Sequence, residues 1–224
     1  SRRGTGNNGV IIILGDTKFD SARTQELQIH QYAQAKGFSI LYISTGIPVD
    51  LYFSQESIIY VDELIHGLFE SLDLQNTPVF FLGVNLAGHR ALKFIDYYKK
   101  GHAKSQLNIK GVVLCDGVLD WVRQWYECKK AIRDNFAESS VFEANMLTYL
   151  LETNLDGTPK NRLGKYLAFS PYSYFNEAKT QVHHLKDYAF RAYSEPAPYY
   201  WMEAKRKATF DTNYPDMVGI INEL

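Results

Sequence analysis

The segment GVNLAG, residues 83–88, has the spacing of a turn that presents one side chain for chemistry. Asn85 stands at its centre, with Gly83 two positions before it and Ala87 two positions after it. An apolar run precedes the segment and a helical pattern follows it. A strand, a sharp turn and a helix with this spacing form a nucleophile elbow, which lifts the central side chain above a sheet. Small residues are needed on both sides because strand and helix pass very close to each other.

The residue at the centre of the turn limits the chemistry that the turn can perform. The amide of Asn85 is neither a useful nucleophile nor activated by a neighbouring base, so an unmodified asparagine cannot form an acyl-enzyme. Asparagine does tolerate a positive φ angle, and it can therefore hold such a turn without a serine.

Two carboxylates lie at the ends of later apolar runs and could act with Asn85. Asp116 belongs to the run 111–117, and Glu195 directly follows the run 188–194. Either residue could occupy the position of a catalytic acid. Either could equally cap the next helix or face water, which is the ordinary role of a carboxylate at a strand end.

The turn after the first run offers a candidate anion-binding notch. Gly15 and Asp16 stand there, and the backbone amides of Leu86 and of residue 16 or 17 could point to one ligand at the start of the elbow helix. Asp16 would oppose an anion if its carboxylate pointed inward. His89, one turn into the elbow helix, could line the same pocket, or it could meet solvent or an adjoining helix.

The elements that must position these residues are indicated by five short apolar runs, which span residues 9–15, 38–44, 78–83, 111–117 and 188–194. The first four are nearly continuous, as is typical of parallel strands covered on both faces. Helical patterns alternate with them: one ends at Lys36, one occupies residues 86–100, and one carries a single apolar stripe. The stripe consists of Ile58, Val61, Ile65, Leu68 and Leu72. This order predicts an α/β fold, a three-layer α/β/α sandwich around a mainly parallel central sheet.

Residues 118–187 interrupt the alternation of runs and helical patterns. They contain helical patterns over 120–135 and 141–152, and Ser140 and Glu143 fit a capping box for the second. Residues 154–175 have an irregular, aromatic composition. We interpret 118–187 as a helical cap insertion within a single domain, 1–224.

These features together resemble the α/β-hydrolase superfamily over about residues 9–194. The resemblance lies in the strand order, in the elbow after the third strand and in the insertion after the fourth, where that family usually carries its cap. It implies that these strands are the family's third to seventh, that Gly15-Asp16 replaces a His-Gly pair of the oxyanion-hole loop, and that Glu195 or Asp116 is a relic of the acid position. Two departures concern activity, since Asn85 occupies the nucleophile position and none of the six histidines follows an eighth strand.

Composition excludes several classes of partner. With 24 basic and 25 acidic residues the net charge is -1, so we expect no nucleic-acid binding. No run approaches the roughly 20 apolar residues of a membrane-spanning helix, and we expect a soluble protein. Its compartment could be the cytoplasm or, after processing of an upstream segment, the periplasm or the exterior. Dinucleotide, HExxH and Cys-x-x-Cys motifs are missing, so we expect no cofactor and no metal.

Two functional hypotheses follow. In the first, the protein lacks serine-hydrolase activity and retains the elbow and its pocket for a small, partly apolar ligand or a protein partner. In the second, it is an active hydrolase of esters or related acyl compounds. Asn85 would then orient a water, or the native chain would continue to an eighth strand. The oligomeric state is not indicated.

Overall fold

The computed structural model describes residues 8–15, 28–178 and 180–224. The strands are β1 (Gly9–Leu14), β2 (Phe38–Ile43), β3 (Pro78–Val84), β4 (Asn108–Cys115) and β5 (Ala189–Tyr193). The α-helices are α1 (Gln28–Ala35), α2 (Gln55–Ser71), α3 (Leu86–Lys99), α4 (Trp121–Asp134), α5 (Glu138–Asn154), α6 (Pro159–Phe169), α7 (Pro198–Lys205) and α8 (Tyr214–Glu223). Short 3₁₀ segments span Thr180–Asp187 and Thr209–Asp211.

The five strands form one sheet in the order β2-β1-β3-β4-β5. β1 pairs in parallel with both β2 and β3, and β3 pairs in parallel with β4. The first strand, β1, therefore lies inside the sheet. The chain passes from β1 to β2 at one edge and then crosses back past β1 to β3. Because such crossovers are right-handed, this reversal places α1 on one face of the sheet and α2 and α3 on the other. The predicted fold class, a layered α/β structure with a mainly parallel sheet, is confirmed.

The described residues divide into two compact units. The sheet unit runs to Cys115 and includes His184–Arg191, and the helical unit comprises Asp116–His183 and Ala192–Leu224. The helical unit thus includes most of the predicted insertion, together with later residues. That the chain is a single domain stays a prediction.

The core of the sheet unit is formed by the apolar faces of its strands and helices. Ile12, Leu14 and Phe81 of the strands and Ile65 and Ile95 of the helices have no exposed surface. The predicted stripe on α2 is confirmed at Ile58, Val61 and Ile65. At Leu72 it is wrong, because α2 ends at Ser71 and Leu72 is 60% exposed while Phe69 is buried.

The helical unit follows the predicted helices with two corrections. Asp120 caps α4, its carboxylate accepting hydrogen bonds from the amides of Val122 and Arg123. The capping box at Ser140 is wrong, since α5 begins at Glu138 and Ser140 lies within its first turn. The region interpreted as irregular contains α6, which starts with Pro159 at its first turn, a position where proline loses no hydrogen bond.

Among the described residues, none of the helices combines the length and the apolar character needed to cross a bilayer.

Candidate functional site

The backbone at Asn85 adopts the conformation of an elbow. β3 ends at Val84, α3 begins at Leu86, and Asn85 between them has φ 53° and ψ -123°. Its amide donates to the carbonyl of Cys115 (2.9 Å), and its carbonyl accepts from the amide of Gly88 (3.0 Å). Asparagine tolerates a positive φ in the left-handed region, but a ψ of -123° lies outside that region, so the backbone of Asn85 is strained. Such strain is concentrated at functional sites.

The close approach of strand and helix falls on two glycines. A Cβ on Gly83 would overlap the Cα of Gly88 and would lie 2.7 Å from its amide nitrogen. The spacing argument named Ala87 as the small partner, and the carbonyl carbon of Ala87 would lie 3.1 Å from the same Cβ. Gly88, the next residue of the same segment, therefore makes the tighter contact.

The side chain of Asn85 is directed toward solvent. It is exposed, and within the described parts of the chain it neither caps α3 nor forms another hydrogen bond. No described histidine is therefore hydrogen-bonded to it. An amide with an N–H donor and a C=O acceptor stands at the rim of the sheet, beside the amide of Leu86 in the first turn of α3.

Asn85 directly follows a strand at which the strand order of the sheet reverses. The crossovers from β1 and from β3 lead to opposite sides of the sheet, so the reversal of strand order lies between these two neighbouring strands. In open α/β sheets, ligands bind outside the carboxyl ends of the strands at such a reversal. Asn85 follows the carboxyl end of β3, and Gly15 follows that of β1.

Gly15 is packed too closely to carry a side chain. Its amide donates to the carbonyl of Ile43 (2.8 Å), and a Cβ at this position would overlap the hydroxyl end of Tyr42. Asp16 and residue 17 lie outside the described residues, so the notch expected from their amides stays a prediction.

A buried arginine connects α3 to the end of β1. Arg90 is 2% exposed, its Nε donates to the carbonyl of Leu14 (2.8 Å) and its Nη1 donates to the carbonyl of Asp50 (2.9 Å). It thereby fixes the helix of the elbow to the last residue of the neighbouring strand.

His89 lies in the interior of the sheet unit. It has no exposed surface, and its Nε2 is 3.0 Å from the carbonyl oxygen of Leu51. Burial, and next the charge of Lys93, hold the pKa of His89 well below its ordinary value. The imidazole is therefore neutral at pH 7, with its Nε2–H donated to Leu51. His89 therefore does not meet solvent, and the expectation that it lines a pocket at the elbow stays a prediction.

Two other histidines of the sheet unit lie toward the far end of α3. The ring of His102, which follows this helix, is 5.6 Å from that of Tyr97. Half-buried His184 has its pKa lowered by burial, and the charges that act on it include those of Asp96 and Lys99 near the end of α3. A helix of this length spans about 20 Å, which separates both rings from the elbow.

The helical unit contains both candidate acids. Asp116 has φ 51°, and its carboxylate accepts a hydrogen bond from the hydroxyl of Ser194 (3.1 Å) while its carbonyl accepts from Asn213 (3.0 Å). Glu195 is exposed, and its backbone carbonyl accepts from the indole of Trp201 (3.3 Å). The structure thus joins Asp116 to the residue directly before Glu195. A catalytic role for either carboxylate stays a prediction.

The strongest charge cluster of the helical unit was not predicted. Arg123 donates from Nε to one oxygen of Asp216 (2.6 Å) and from Nη2 to the other (2.9 Å), with both side chains buried. Asp216 also accepts from the amides of Leu119 and Asp120. Burial, and next the charge of Asp216, raise the pKa of Asp120. Burial alone would lower the pKa of Arg123, but the charge and hydrogen bonds of Asp216, together with the charges of Asp120 and Glu127, outweigh it and raise that pKa. The cluster joins α4 to α8 and is structural.

No protein-family model matches the chain, and no curated protein does. Among solved structures, it is similar to a candidate hydrolase from Legionella pneumophila, with 11% identity, 86% of this chain and 75% of that one covered, and a TM-score of 0.48. A lipase-esterase related protein from Clostridium acetobutylicum has 13% identity, coverages of 96% and 90%, and a TM-score of 0.39. A variant of the rice cell wall degrading esterase LipA from Xanthomonas oryzae has 12% identity, coverages of 98% and 64%, and a TM-score of 0.37.

The described part of the chain contains no cluster of side chains that could bind a metal ion. No group of three or more His, Cys, Asp and Glu side chains in residues 8–15, 28–178 and 180–224 is arranged to hold an ion. At the elbow, the described groups that can bind a ligand are the amide side chain of Asn85 and the backbone amide of Leu86.

Proposed function

We propose that this protein is an α/β-hydrolase-like protein without serine-hydrolase activity, and that its elbow binds a small, partly apolar ligand through an oxygen atom. One observation carries the proposal: Asn85 has the elbow conformation, yet its exposed side chain is an amide without a hydrogen-bonded histidine. The strained turn is retained while the attacking atom is missing.

The ligand chemistry follows from the groups at the rim. The amide nitrogen of Asn85 can donate to a carbonyl or carboxylate oxygen, and the backbone amide of Leu86 begins a helix whose N-terminus favours negative charge. Short-chain carboxylic acids and their esters carry such an oxygen on an apolar body. An asparagine binds these groups without forming an acyl-enzyme.

The direct test is an activity and labelling assay on the wild type and two variants. Wild-type protein, Asn85→Ala and Asn85→Ser are assayed with p-nitrophenyl acetate and butyrate and with a fluorophosphonate probe. We expect no turnover above the buffer rate and no labelling of the wild type. Turnover by the wild type that Asn85→Ala abolishes would reject the proposal in favour of an ester hydrolase in which Asn85 orients water.

A binding assay tests the proposed pocket independently of catalysis. Butyrate and ethyl butyrate are titrated into wild type, Asn85→Ala and the control Asn145→Ala, which changes an exposed asparagine of α5, while amide NMR spectra are recorded. Loss of one hydrogen bond of about 1 kcal/mol weakens binding about fivefold in Asn85→Ala only. Equal affinities in all three proteins would contradict a ligand role for Asn85.

A further inference from the structure

Helix α5 of the helical unit carries apolar side chains on two opposite faces. One face lies toward the interior of the unit, where Ala144, Leu147 and Leu151 are buried. The other face presents Phe142, which is 72% exposed, and Tyr149, which is 69% exposed. A surface helix of a globular protein usually has one apolar stripe, which it buries, and turns polar residues to water. The second face of α5 departs from this pattern.

The apolar residues of the exposed face have the spacing of a contact between two helices. Phe142, Met146 and Tyr149 are four and three residues apart, so all three project from the same side of α5. Residues with this spacing normally insert between the side chains of a facing helix. Exposed apolar residues that form a continuous patch, unlike scattered single ones, mark interaction sites. We call these three residues the outer stripe of α5.

The sequence of α5 is symmetric about the middle of the outer stripe. Phe142 and Tyr149 lie at equal distances from the midpoint between positions 145 and 146, and so do the flanking residues Val141 and Leu150. When a second α5 lies antiparallel across a two-fold axis at this midpoint, each Phe142 faces Tyr149 of the other copy. The same rotation brings the two flanking residues together. The outer stripe is therefore complementary to itself, as the interface of a two-fold dimer must be.

The charges of α5 favour the antiparallel arrangement. The helix contains three acidic residues and no basic one, namely Glu138, Glu143 and Glu152. In a parallel pair in register, each acidic residue would be level with its own copy, and neighbouring like charges are destabilising. In the antiparallel pair, Glu138 is level with Thr153 of the other copy, and Glu152 is level with a serine. The positive end of each helix dipole also lies beside the negative end of the other.

We infer that two copies of this chain associate through the outer stripe, with their α5 helices antiparallel about a two-fold axis. A fully covered ring contributes about 150–250 Å², so at their exposed fractions Phe142 and Tyr149 together offer roughly 200–350 Å² per copy. An interface of less than about 1,200 Å² in total gives a weak, transient complex, and we expect a dissociation constant on the order of 10 µM. The inference is independent of the ligand proposed at Asn85.

The test is sedimentation velocity on the whole chain, from about 1 µM to about 200 µM, a range that spans the expected dissociation constant. We expect a monomer at the low end and a dimer at the high end. Phe142→Ser and Tyr149→Ser each remove an exposed ring twice per dimer, and we expect them to weaken association about tenfold or more without changing the circular dichroism spectrum. A monomer at every concentration would overturn the inference.

Tyr199→Ser is the matched control, because Tyr199 is 74% exposed on α7 and lies outside the outer stripe. It should leave the dissociation constant of the wild type unchanged. A dimer that Tyr199→Ser weakens as much as Phe142→Ser does, or that neither substitution in the stripe weakens, would overturn the assignment of this face.

Disulfide cross-linking tests the antiparallel arrangement while the outer stripe is left intact. Glu138 is level with Thr153 of the other copy, whereas the two copies of Glu138 lie about 22 Å apart along the helix axis. A mixture of the Glu138→Cys and Thr153→Cys proteins should therefore cross-link on mild oxidation, and neither protein should cross-link alone. The wild type, with free Cys115 and Cys128, gives the background. Cross-linking of Glu138→Cys with itself, or no cross-linking in the mixture, would overturn the arrangement.

Discussion

Gly83 and Gly88 touch across the elbow, and the contact leaves no room for a Cβ on Gly83. Gly83→Ala must therefore push β3 away from α3, and we expect unfolding to become easier by about 2–4 kcal/mol. Urea denaturation followed by circular dichroism measures this change.

The matched control for that substitution lies on α2. Nothing is within 4 Å of a Cβ on Gly67, so Gly67→Ala should stabilise the protein by about 0.5–1 kcal/mol through helix propensity. Equal effects of the two substitutions would show that the approach of strand and helix is not tight.

The backbone strain at Asn85 should lower the free energy of unfolding, and relieving it should raise that free energy. A φ of 53° with ψ -123° is a conformation that glycine adopts easily, so we expect Asn85→Gly to stabilise the protein by about 1 kcal/mol. Asn135→Gly is the comparison, because Asn135 has φ 46° and ψ 42°, a left-handed conformation that asparagine tolerates, and it should gain less. A loss of stability in Asn85→Gly would mean that the side chain stabilises the turn.

Burial of His89 should make stability depend on pH. The pKa of His89 is lower in the folded chain than in the unfolded one. Below about pH 6.5 the unfolded chain therefore binds more protons, and the free energy of unfolding decreases as the pH is lowered. The slope from this residue is at most about 1.4 kcal/mol per pH unit. We expect His89→Gln, whose amide can still donate to Leu51, to remove this part of the difference between pH 7.5 and pH 5.5.

His66→Gln is the control for the pH experiment, since His66 lies on the exposed face of α2 near Glu70. It should retain the pH dependence of the wild type. If His89→Gln and the wild type lost stability equally on acidification, a neutral buried His89 would be contradicted.

The pair Arg123–Asp216 should dominate the stability of the helical unit. Asp216→Ala leaves a buried guanidinium without its partner, which typically costs about 3–5 kcal/mol. Asp156→Ala, which removes an exposed partner of Arg162, should have a much smaller effect because water screens such pairs. The double variant Arg123→Met with Asp216→Leu should recover part of the free energy of unfolding that Asp216→Ala loses. If it does not, the hydrogen bonds from the amides of Leu119 and Asp120 to Asp216 contribute more to stability than its pairing with Arg123.

The strands and the elbow could be predicted because their signals are local. β1 to β4 are continuous apolar runs, and the turn at Asn85 follows from the spacing of small residues around it. α6 was missed although Thr158 and Pro159 form a recognisable helix start. The irregular, aromatic composition around this helix start obscures the helical pattern.

The long-range polar contacts could not be predicted from local patterns. Asp216 lies 93 residues after Arg123, and no periodicity pairs them. Arg90 bonds to carbonyls that precede it by 76 and 40 residues. Main-chain carbonyls leave no mark in a sequence, so a buried arginine that binds them is indistinguishable from a solvated one until the chain is folded.

Arg90 also limits how far the backbone near the elbow can move when the proposed ligand binds. The guanidinium of Arg90 on α3 binds both the end of β1 and the chain before α2. These hydrogen bonds hold the three segments together. For the ligand proposed at Asn85, we therefore expect the described backbone around the turn to be preorganised, so that little conformational freedom is lost on binding. We then expect selectivity among ligands to depend on the complementarity between each ligand and the existing site, rather than on a rearrangement of the backbone.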